Sequence, residues 1–384
     1  MAQTGLLLIT DITGYSKYVH QTELEHAQSS LADLLHLLID YTRSPLVLSK
    51  LEGDAVFAYA PAEGFLLGQT LVEMVESTYL AFRKALELMI RNTTCTCAAC
   101  RSLKDLDLKF FVHYGSFTIQ KLNEYRVLLG NDVNLVHRLA KNHIREQTGF
   151  GAYAAYTQAI IEKMGLGGMS RGMVSHRETF ADVGEVQLYV QNMHDVWEQR
   201  GHEVRITAEQ NNPMGRLEFN FPYPPDVMWQ YITAPEFRSV INGSDSQEFK
   251  DLSAGRAGIG SVYVCAHGKN QVLQPILDWE PFEGYTTADL IMGAQILHTL
   301  QVVPAGDGTI LKYSVGVLER SPATFLILKL MTRGLMVYKK SRFAELRQRI
   351  DQDVIARGAF SMTESPISPQ AVTDTAANRF SNGG

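Results

Sequence analysis

Apolar and polar positions follow two different patterns along the 384-residue chain. Up to about residue 190, short apolar runs alternate with long segments in which apolar residues recur every three or four positions. This alternation is typical of domains that layer helices on a sheet. The short runs predict strands at 6–10, 45–49, 55–59, 106–120, 125–129 and 185–190. The helical spacing predicts helices at 23–41, 65–91 and 131–146.

Strands dominate the second half of the chain. They are predicted at 215–221, 261–266, 271–280, 284–291, 296–304 and 309–318, with a short helix at 224–234 and a long amphipathic helix at 323–356. A helix laid across an antiparallel sheet buries one face of that sheet.

Two further segments lack an apolar pattern. Residues 194–212 are polar, without a periodic apolar face, and the end of the chain is rich in Ser, Thr, Asn, Pro and Gly. Such compositions are typical of linkers and disordered tails. We therefore divide the chain into a first domain at 1–193, a linker at 194–212, a second domain at 213–358 and a disordered tail at 359–384.

Composition and charge narrow the class of protein. The 45% hydrophobic and 20% charged residues are close to globular averages. The net charge of −6 provides no basic field for nucleic acid, so none is expected as a partner. Every apolar run falls short of the roughly 18–20 residues of a membrane helix, so no integral membrane association is expected. The first residues, MAQTG, lack the basic stretch of a signal peptide, and a cytoplasmic location is expected.

Asp11 and Asp54 stand where a carboxylate has little structural purpose. Asp11 follows the buried strand at 6–10, and Asp54 follows Gly53 in the turn between two predicted strands. Taken singly, each is equally well explained as a turn residue. Together, two carboxylates at adjacent strand ends are what two divalent cations need in order to hold a nucleoside triphosphate.

Three motifs occur in the order in which one enzyme family carries them. DITGYS at 11–16 and KLEGD at 50–54 resemble the two metal motifs of class III nucleotidyl cyclases, and GNDVNLVHRL at 130–139 resembles their transition-state helix. The predicted order of strands and helices also agrees with that fold, so the resemblance covers about 6–190. It implies the α+β fold class, with a ferredoxin-like class III cyclase catalytic domain in the first part of the chain.

The resemblance implies a role for each matching residue. Asp11, Asp54 and the Ile12 carbonyl would hold two Mg²⁺ or Mn²⁺ ions. Asn134 and Arg138 would be catalytic, the amide orienting the ribose and the guanidinium stabilising charge on the α-phosphate. In this family the metal residues and the Asn/Arg pair of one site come from different subunits, so a homodimer is implied.

Base selection depends on two positions in the family pattern. Lys50, four residues before Asp54, stands where adenine-selecting members carry a lysine, which makes ATP the expected substrate rather than GTP. The alternative is a surface charge on the hairpin. The acid expected seven residues before Asn134 is replaced by Val127. His137 replaces the small residue usual before the arginine, where its ring could crowd a nucleotide or repack the helix.

A cysteine cluster follows the second long helix. Cys95, Cys97 and Cys100 have a spacing that would place three thiolates around one Zn²⁺ ion or iron centre, structural or regulatory rather than catalytic. His113, a distant histidine, Cys265 and a residue of a second chain are candidates for the fourth ligand. A reversible thiol switch and unliganded thiols are the alternatives.

The second domain resembles the START-like, polyketide-cyclase-type (SRPBCC) fold. Residues 219–236 run from a strand into a short helix that carries Trp229, and the long helix closes the domain, as in the helix-grip arrangement around an apolar cavity. The resemblance implies a hydrophobic ligand in that cavity. His267 and His298, with Asp278 and Glu280, could supply acid–base chemistry there, and ordinary polar positions on strand faces explain them as well.

The whole chain resembles a bacterial family of unknown function that joins a cyclase-like domain to a second domain. The resemblances together imply a nucleotidyl cyclase that converts ATP to 3′,5′-cyclic AMP and pyrophosphate, regulated by a hydrophobic ligand. One alternative is a catalytically silent nucleotide- or ligand-responsive module. Another is a START-like lipid or small-molecule binding protein that the first domain merely dimerises.

Overall fold

The computed structural model describes residues 2–20, 24–42, 46–62, 68–92, 101–122, 125–253, 255–291, 293–318 and 322–357. The predicted disordered tail at 359–384 lies outside these ranges, and so do Cys95, Cys97 and Cys100. Among the helices within these ranges, none is both long enough and apolar enough to cross a bilayer.

The first half of the described chain is a large sheet with helices on both faces. Its strands are β1 (Ala2–Thr13), β2 (Val47–Glu52), β3 (Ala55–Pro61), β4 (Asp107–Leu122), β5 (Tyr125–Leu129), β6 (Tyr153–Thr157), β7 (Val174–Phe180) and β8 (Gly184–Asn192). Its helices are α1 (Tyr15–His20), α2 (Leu24–Tyr41), α3 (Gly68–Asn92), α4 (Asn131–Leu139), α5 (Ile144–Thr148), α6 (Gln158–Lys163), α7 (Gly167–Ser170) and α8 (Met193–Arg200). The strand order is β2-β3-β1-β4-β6-β8-β7, with β5 paired to β4. Strands β4 and β6 run parallel to each other.

Strand β1 lies inside this sheet because it is apolar on both faces. Leu6 and Leu8 join the core that contains α2 and α3, whereas Leu7 and Ile9 join the core that contains α4. Successive side chains of a strand point to opposite faces. Asp11, two residues after Ile9, therefore falls on the face that α4 covers.

The second half is an antiparallel sheet with a long helix packed on it. Its strands are β9 (Gly215–Phe221), β10 (Ser246–Asp251), β11 (Val262–His267), β12 (Asn270–Glu280), β13 (Gly284–Ile291), β14 (Ala294–Ala305) and β15 (Gly308–Val317), in the order β10-β11-β12-β13-β14-β15-β9. Helices α9 (Pro225–Thr233) and α10 (Pro235–Asn242) follow β9, and α11 (Pro322–Arg357) follows β15. Phe343, Leu346 and Ile350 of α11 are buried at helical spacing in the core.

Glu73 on α3 connects the two halves. Its carboxylate accepts hydrogen bonds from the indole N–H groups of Trp229 and Trp279, each at 2.8 Å, and from the Gln69 amide at 2.9 Å. Both tryptophans belong to the second half, on α9 and β12. Burial raises the pKa of Glu73, although the three donors oppose the shift.

Glu76, one turn further along α3, is fully buried and binds two arginines. One oxygen accepts from Arg200 and Arg256, both at 2.8 Å, and the other accepts from Gln191 at 2.6 Å. Burial alone would raise the pKa of Glu76, but Arg256 and Arg200 overcome this effect and lower it. Because Arg256 comes from the second half, this carboxylate also joins the two halves, which share one hydrophobic core.

The segment 194–212 differs from the predicted linker. Helix α8 occupies its start and buries Val196, and Ala208 is fully buried. The Arg205 guanidinium binds Asp278 of β12 at 2.9 Å. The expectation that this segment lacks a buried element is therefore wrong. A helix of eight residues that buries so few side chains is too short to produce a visible apolar period.

The helix predicted at 131–146 is interrupted. Helix α4 ends at Leu139 and α5 begins at Ile144. The Asn142 amide donates to the Leu139 carbonyl at 2.7 Å, and its oxygen accepts from the Ile144 N–H at 2.9 Å. One asparagine thus satisfies a free carbonyl of the first helix and a free N–H of the second, which favours the break.

Candidate functional site

Two carboxylates meet at one end of the first sheet. Asp11 is near the end of β1, where its register partner on β3 is Ala55. Asp54 directly precedes Ala55, and its carbonyl accepts a hydrogen bond from the Ile12 N–H at 3.2 Å. Gly53 makes the turn at φ +66°, a conformation that favours glycine. The ladder therefore fixes the backbones of the two aspartates side by side.

This aspartate pair carries excess negative charge. Burial, followed by the charge of Asp54, raises the pKa of Asp11 to about 6, while Lys109 opposes the shift. Burial also raises the pKa of Asp54. Within the described chain, neither carboxylate has a cationic nitrogen within 4.0 Å. A bound divalent cation would remove the repulsion between the two groups.

Helix α4 brings an amide and a guanidinium to the same region. Asn134 and Arg138 are one turn apart and therefore share a face of the helix. Val133, Val136 and Leu139 are buried against the sheet. The apolar side of α4 thus fixes the helix on the sheet and leaves its polar side free to line a site.

The first turn of α4 is attached to β4. Asp132 accepts hydrogen bonds from the N–H and the hydroxyl of Ser116, at 2.6 and 2.9 Å, and lies 3.3 Å from the His113 ring. Burial would raise the pKa of Asp132, but the Ser116 donors and His113 lower it. Gly115 makes room for this contact, since a Cβ there would lie 2.4 Å from Asp132. The sheet therefore determines where Asn134 and Arg138 are held.

A cavity of about 700 Å³ lies between the aspartate pair and α4. It is lined by Ile9, Asp11, Glu52, Asp54, Ala55, Asn134, His137, Arg138, Ala140 and Lys141. Both predicted metal aspartates and both predicted catalytic residues of α4 thus line one cavity within one chain. The family resemblance instead assigns these two pairs to different subunits.

His137 and Glu52 narrow the same cavity. His137 Nδ1 lies 3.1 Å from a Glu52 oxygen, and the imidazole packs edge-on against Phe57 with ring centroids 4.8 Å apart. Burial lowers the pKa of His137, although the Glu52 charge opposes the shift. The bulky ring fills space between α4 and β3, and Glu52 adds a carboxylate that the motifs did not single out.

Arg138 has an acidic partner that the sequence did not reveal. Its Nη2 lies 2.5 Å from Asp182 Oδ2, in the turn between β7 and β8. The Asp182 side chain is 68% exposed. The guanidinium is therefore occupied by a carboxylate of its own chain. Asp182 lies 44 residues away in a stretch without a clear pattern, so no local signal identifies it.

Lys50 is not part of the described cavity wall. On β2 it forms an ion pair with Glu52, and its nitrogen lies 5.8 Å from the centre of the Phe57 ring. Its side chain is half exposed. Lys50 therefore reaches the cavity only through Glu52, and its role in base selection stays a prediction.

The donors of this cavity fit hard cations. Mg²⁺ and Mn²⁺ prefer carboxylate and carbonyl oxygens, and Mg²⁺ is usually held by one or two carboxylates completed by phosphates and water. Within the described ranges, no three His, Cys, Asp or Glu side chains are arranged to hold a metal ion. A metal site made of two carboxylates and a bound phosphate agrees with the ligand preference of Mg²⁺ and with this side-chain arrangement.

The predicted cysteine metal site lies outside the described residues, and its two described candidate ligands have other partners. The two ring nitrogens of His113 lie 2.9 Å from the Thr157 hydroxyl and 3.3 Å from Asp132. Cys265 is a buried free thiol beside Gln274 in the second sheet. Zinc at the cysteines stays a prediction.

A second cavity, of about 260 Å³, lies between α11 and the second sheet. Most of its wall is apolar, from Met214, Val272, Ile291, Ile296, Val315, Leu328, Met331 and Leu335. Its polar side chains include Asn242, His267, Gln274, Asp289, His298 and Lys339. Both histidines that the sequence suggested for this domain therefore line one cavity.

Part of the chain matches proteins without an assigned function. Residues 31–148 match a family described as "Protein of unknown function (DUF2652)". The "Uncharacterized protein Rv2561/Rv2562" of Mycobacterium tuberculosis is 35% identical over 117 residues, which is 30% of this chain and 52% of that protein. The chain thus spans about half the length of this curated relative.

Several solved structures are similar to about half of the chain. A bacterial light-regulated adenylyl cyclase aligns with a TM-score of 0.37 and 14% identity, over 52% of this chain and 98% of that one. The adenylyl cyclase CyaB from P. aeruginosa gives a TM-score of 0.37 and 14% identity, over 50% and 94%. The guanylyl cyclase Cya2 gives a TM-score of 0.38 and 14% identity, over 50% and 92%.

Proposed function

We propose that the chain is a class III-type nucleotidyl cyclase that converts ATP to 3′,5′-cyclic AMP and pyrophosphate. The observation that carries the proposal is the cavity that combines the Asp11–Asp54 pair with Asn134 and Arg138. A nucleoside triphosphate is strongly anionic, so its site needs cations and phosphate-binding donors. The aspartate pair would recruit the cations, and Arg138 would supply the donors.

The aspartate pair would hold the metal cofactors. Asp11, Asp54 and the Ile12 carbonyl are the residues proposed to bind two Mg²⁺ or Mn²⁺ ions. When bound, such ions act as Lewis acids at the ribose 3′-hydroxyl and at the triphosphate oxygens. The raised pKa values of both carboxylates agree with this role, because burial, and for Asp11 also the charge of Asp54, disfavours ionised carboxylates that no bound cation stabilises.

Asn134 and Arg138 would act on the sugar and the α-phosphate. Cyclisation requires the 3′-oxygen to attack the α-phosphorus in line with the departing pyrophosphate. The Asn134 amide would hold the ribose in that orientation. The planar Arg138 guanidinium presents paired N–H donors that match phosphate oxygens, so it would stabilise charge that develops on the α-phosphate. Asp182 must release Arg138 when the phosphate binds.

We propose a homodimer in which each aspartate pair is served by the Asn134–Arg138 pair of the other copy. Within one described chain, Arg138 is engaged by Asp182 and lies more than 4.0 Å from either cavity aspartate. This arrangement follows the family resemblance, which takes the two pairs of one site from different subunits. ATP is proposed as the substrate in preference to GTP because Lys50 matches the adenine-selecting position.

We propose that the second half is a helix-grip, START-like domain that holds a hydrophobic ligand and regulates the first half. The antiparallel sheet, helix α11 and the mostly apolar 260 Å³ cavity between them support this proposal. The hydrogen bonds from Trp229 and Trp279 to Glu73 offer a physical route, since a ligand that shifts α9 or β12 would move α3.

A second candidate function is a nucleotide-responsive module without turnover. Two observations favour it. Arg138 is held by Asp182. Val127, opposite Gln120 on β4, offers no carboxylate to a purine base. A third candidate, a START-like lipid or small-molecule binder dimerised by the first half, is favoured by the second cavity.

Turnover by the purified full chain distinguishes these candidates. Pyrophosphate and cyclic nucleotide are measured from ATP and from GTP, with Mn²⁺ or Mg²⁺. The Asp54→Ala variant should lose turnover by about 100-fold or more, because a metal ligand is removed. Asp105→Ala is the matched control, since Asp105 is an exposed carboxylate paired with Lys17 at 3.5 Å, and it should keep the wild-type rate.

Each other outcome contradicts the cyclase proposal in a different way. A folded chain that binds metal–nucleotide without turnover is the silent module. A folded chain that binds no nucleotide but takes up an apolar molecule is the START-like binder.

A further inference from the structure

One buried cation, Lys339, lines the polar part of the second cavity, and a second, Arg238, lies behind that wall in contact with Gln274. Arg238 on α10 is 3% exposed and Lys339 on α11 is 5% exposed. Among the described residues, neither has a carboxylate oxygen within 4.0 Å. Buried charges in proteins are ordinarily paired, because an unpaired charge is costly to remove from water.

Arg238 is surrounded by neutral groups. Its Nη2 donates to the Gln274 amide oxygen at 3.1 Å, its Nη1 donates to the Tyr285 hydroxyl, and its guanidinium carbon lies 4.0 Å from the centre of the Tyr263 ring. Its Nε is buried and lacks a hydrogen-bond partner among the described residues. Because a guanidinium keeps its proton, this positive charge is permanent.

Lys339 lines the cavity with a donor to spare. Its Nζ donates to the Ile241 carbonyl and to the Asn242 side-chain oxygen, both at 2.9 Å. An ammonium group has three N–H donors, and these two are its hydrogen-bond acceptors within the described chain. One N–H of Lys339 therefore remains for a molecule in the cavity.

Asp289, the carboxylate of the cavity wall, already has partners. It accepts from the Gln274 amide at 2.9 Å, and its other oxygen lies 3.2 Å from His298 Nε2. The second nitrogen of that ring lies 2.8 Å from the Tyr313 hydroxyl. Lys339 and Asp289 both line the cavity, and the Arg238 guanidinium behind Gln274 adds a buried positive charge that no carboxylate of the described chain balances.

We infer that this cavity binds an amphiphilic monoanion. Its carboxylate or similar head group accepts a hydrogen bond from the free N–H of Lys339, and its chain lies along the apolar wall. The inference rests on the proposed hydrophobic ligand of the second half and adds the charge of its head group. A volume of 260 Å³ is about nine times that of one liquid water molecule, so a chain of medium length fits. Ile291, Met331 and Tyr338 of the wall are 37, 55 and 44% exposed, which makes the mouth apolar.

Three probes of one chain length test the head group on the full-length protein. Octanoate, octan-1-ol and octylamine are titrated into delipidated protein at neutral pH by calorimetry. We expect octanoate to bind at least about tenfold more tightly than octan-1-ol, because a charge-assisted hydrogen bond distinguishes them. Octylamine should bind most weakly.

Two lysine variants locate the head group. Lys339→Met removes the ammonium and keeps an apolar side chain of similar length, so octanoate and octan-1-ol should then bind about equally. Lys340→Met is the matched control, because Lys340 is the next residue of α11 and is exposed. It should keep the roughly tenfold preference for octanoate.

The remaining outcomes overturn the inference. Equal binding of octanoate and octan-1-ol to the wild type would show that the cavity does not recognise an anionic head group. The proposal that it binds a hydrophobic ligand would be unaffected. A preference for octylamine would show that Asp289, rather than Lys339, recognises the head group. Binding of none of the three probes to folded protein defeats the hydrophobic-ligand proposal as well. If Lys339→Met fails to fold, the comparison of the three probes on the wild type still decides whether the head group is anionic. None of these measurements depends on nucleotide turnover.

Discussion

Arg138 makes its ion pair in the described chain with Asp182 rather than with a carboxylate of the cavity. The two side chains are 40% and 68% exposed, so water and salt screen the pair. Such exposed pairs contribute about 0–1 kcal/mol to stability. A triphosphate, with several oxygens and a larger charge, can therefore displace Asp182 at little cost.

Asp182→Asn should lower the KM for ATP by about two- to fivefold and leave kcat unchanged, because substrate no longer competes with the carboxylate for Arg138. Steady-state kinetics checks this, or the Kd of ATP where turnover is absent. Glu185→Gln is the control, since Glu185 lies on the same hairpin but pairs with Arg177 at 3.4 Å. Equal KM values in the wild type and Asp182→Asn would show that Asp182 does not compete with substrate.

The residues of the candidate site differ in how visible they are in the sequence. Asn134 and Arg138 were predicted only through the resemblance to the cyclase motif at 130–139, whereas Asp11 and Asp54 could also be singled out locally because each stands at a predicted strand end. Asp182 could not, because the contact joins a helix to a turn 44 residues away. Contacts between such distant segments depend on the sheet register, which no local pattern contains.

At the scale of elements, α11 places a lysine where its pattern calls for an apolar residue. Lys339, Phe343, Leu346 and Ile350 share the buried side of the helix at helical spacing. Burial, followed by the charge of Arg238, lowers the pKa of Lys339 to about 8. The other charged and titratable groups that act on it are Asp289 on β13, Cys265 on β11 and Arg342 on α11.

Raising the pH from about 7.5 to about 9.5 should stabilise the wild type relative to Lys339→Met by about 2 kcal/mol. Between a folded pKa of about 8 and the ordinary 10.5, the unfolded chain binds more protons at this lysine than the folded chain does. The free energy of unfolding therefore rises with pH in this interval. Urea unfolding of both proteins across this range measures the difference.

The control for this prediction is Lys340→Met, which should keep the wild-type pH dependence because Lys340 is exposed. Identical slopes of unfolding free energy with pH in the wild type and Lys339→Met would show that Lys339 titrates normally.

Agreement between predicted and observed elements depends on how clear the apolar pattern is rather than on its length. The predicted strand at 215–221 has the bounds of β9, and the helix at 323–356 agrees closely with α11. Strands β6, β7 and β10 were not predicted. Strand β6 is buried at all five of its positions, so it shows no alternation of apolar and polar residues. The break after α4 depends on one asparagine, which an apolar period cannot indicate.

At the scale of the whole molecule, the proposed site requires two copies of the chain. Asp54→Ala and Arg138→Ala, each inactive alone, should recover about a quarter of the wild-type activity when mixed in equal amounts under conditions that exchange subunits. Half of the dimers formed at random are mixed, and each holds one intact site out of two. Cyclic nucleotide production by the mixture is the measurement.

The matched mixture combines Asp54→Ala with Asp11→Ala. Both changes lie in the aspartate pair, so every site stays defective and no activity should return. A site completed within one chain, as the shared cavity allows, gives no recovery in either mixture and would contradict the dimeric site.

Glu73 and Glu76, the two buried carboxylates of α3, also determine whether the two halves can be separated. Excising the second half would leave Glu73 without its indole donors and Glu76 without Arg256, and excising the first half would remove the acceptors of both indoles and of Arg256. Stranding a buried charge costs about 3–5 kcal/mol, against the 5–15 kcal/mol that keeps a whole domain folded. Neither half is therefore expected to keep its fold when it is separated from the other. An inactive fragment would show only that the fold had been lost, not that the fragment lacked a functional residue. Point substitutions in the intact chain are therefore the appropriate way to map its functions.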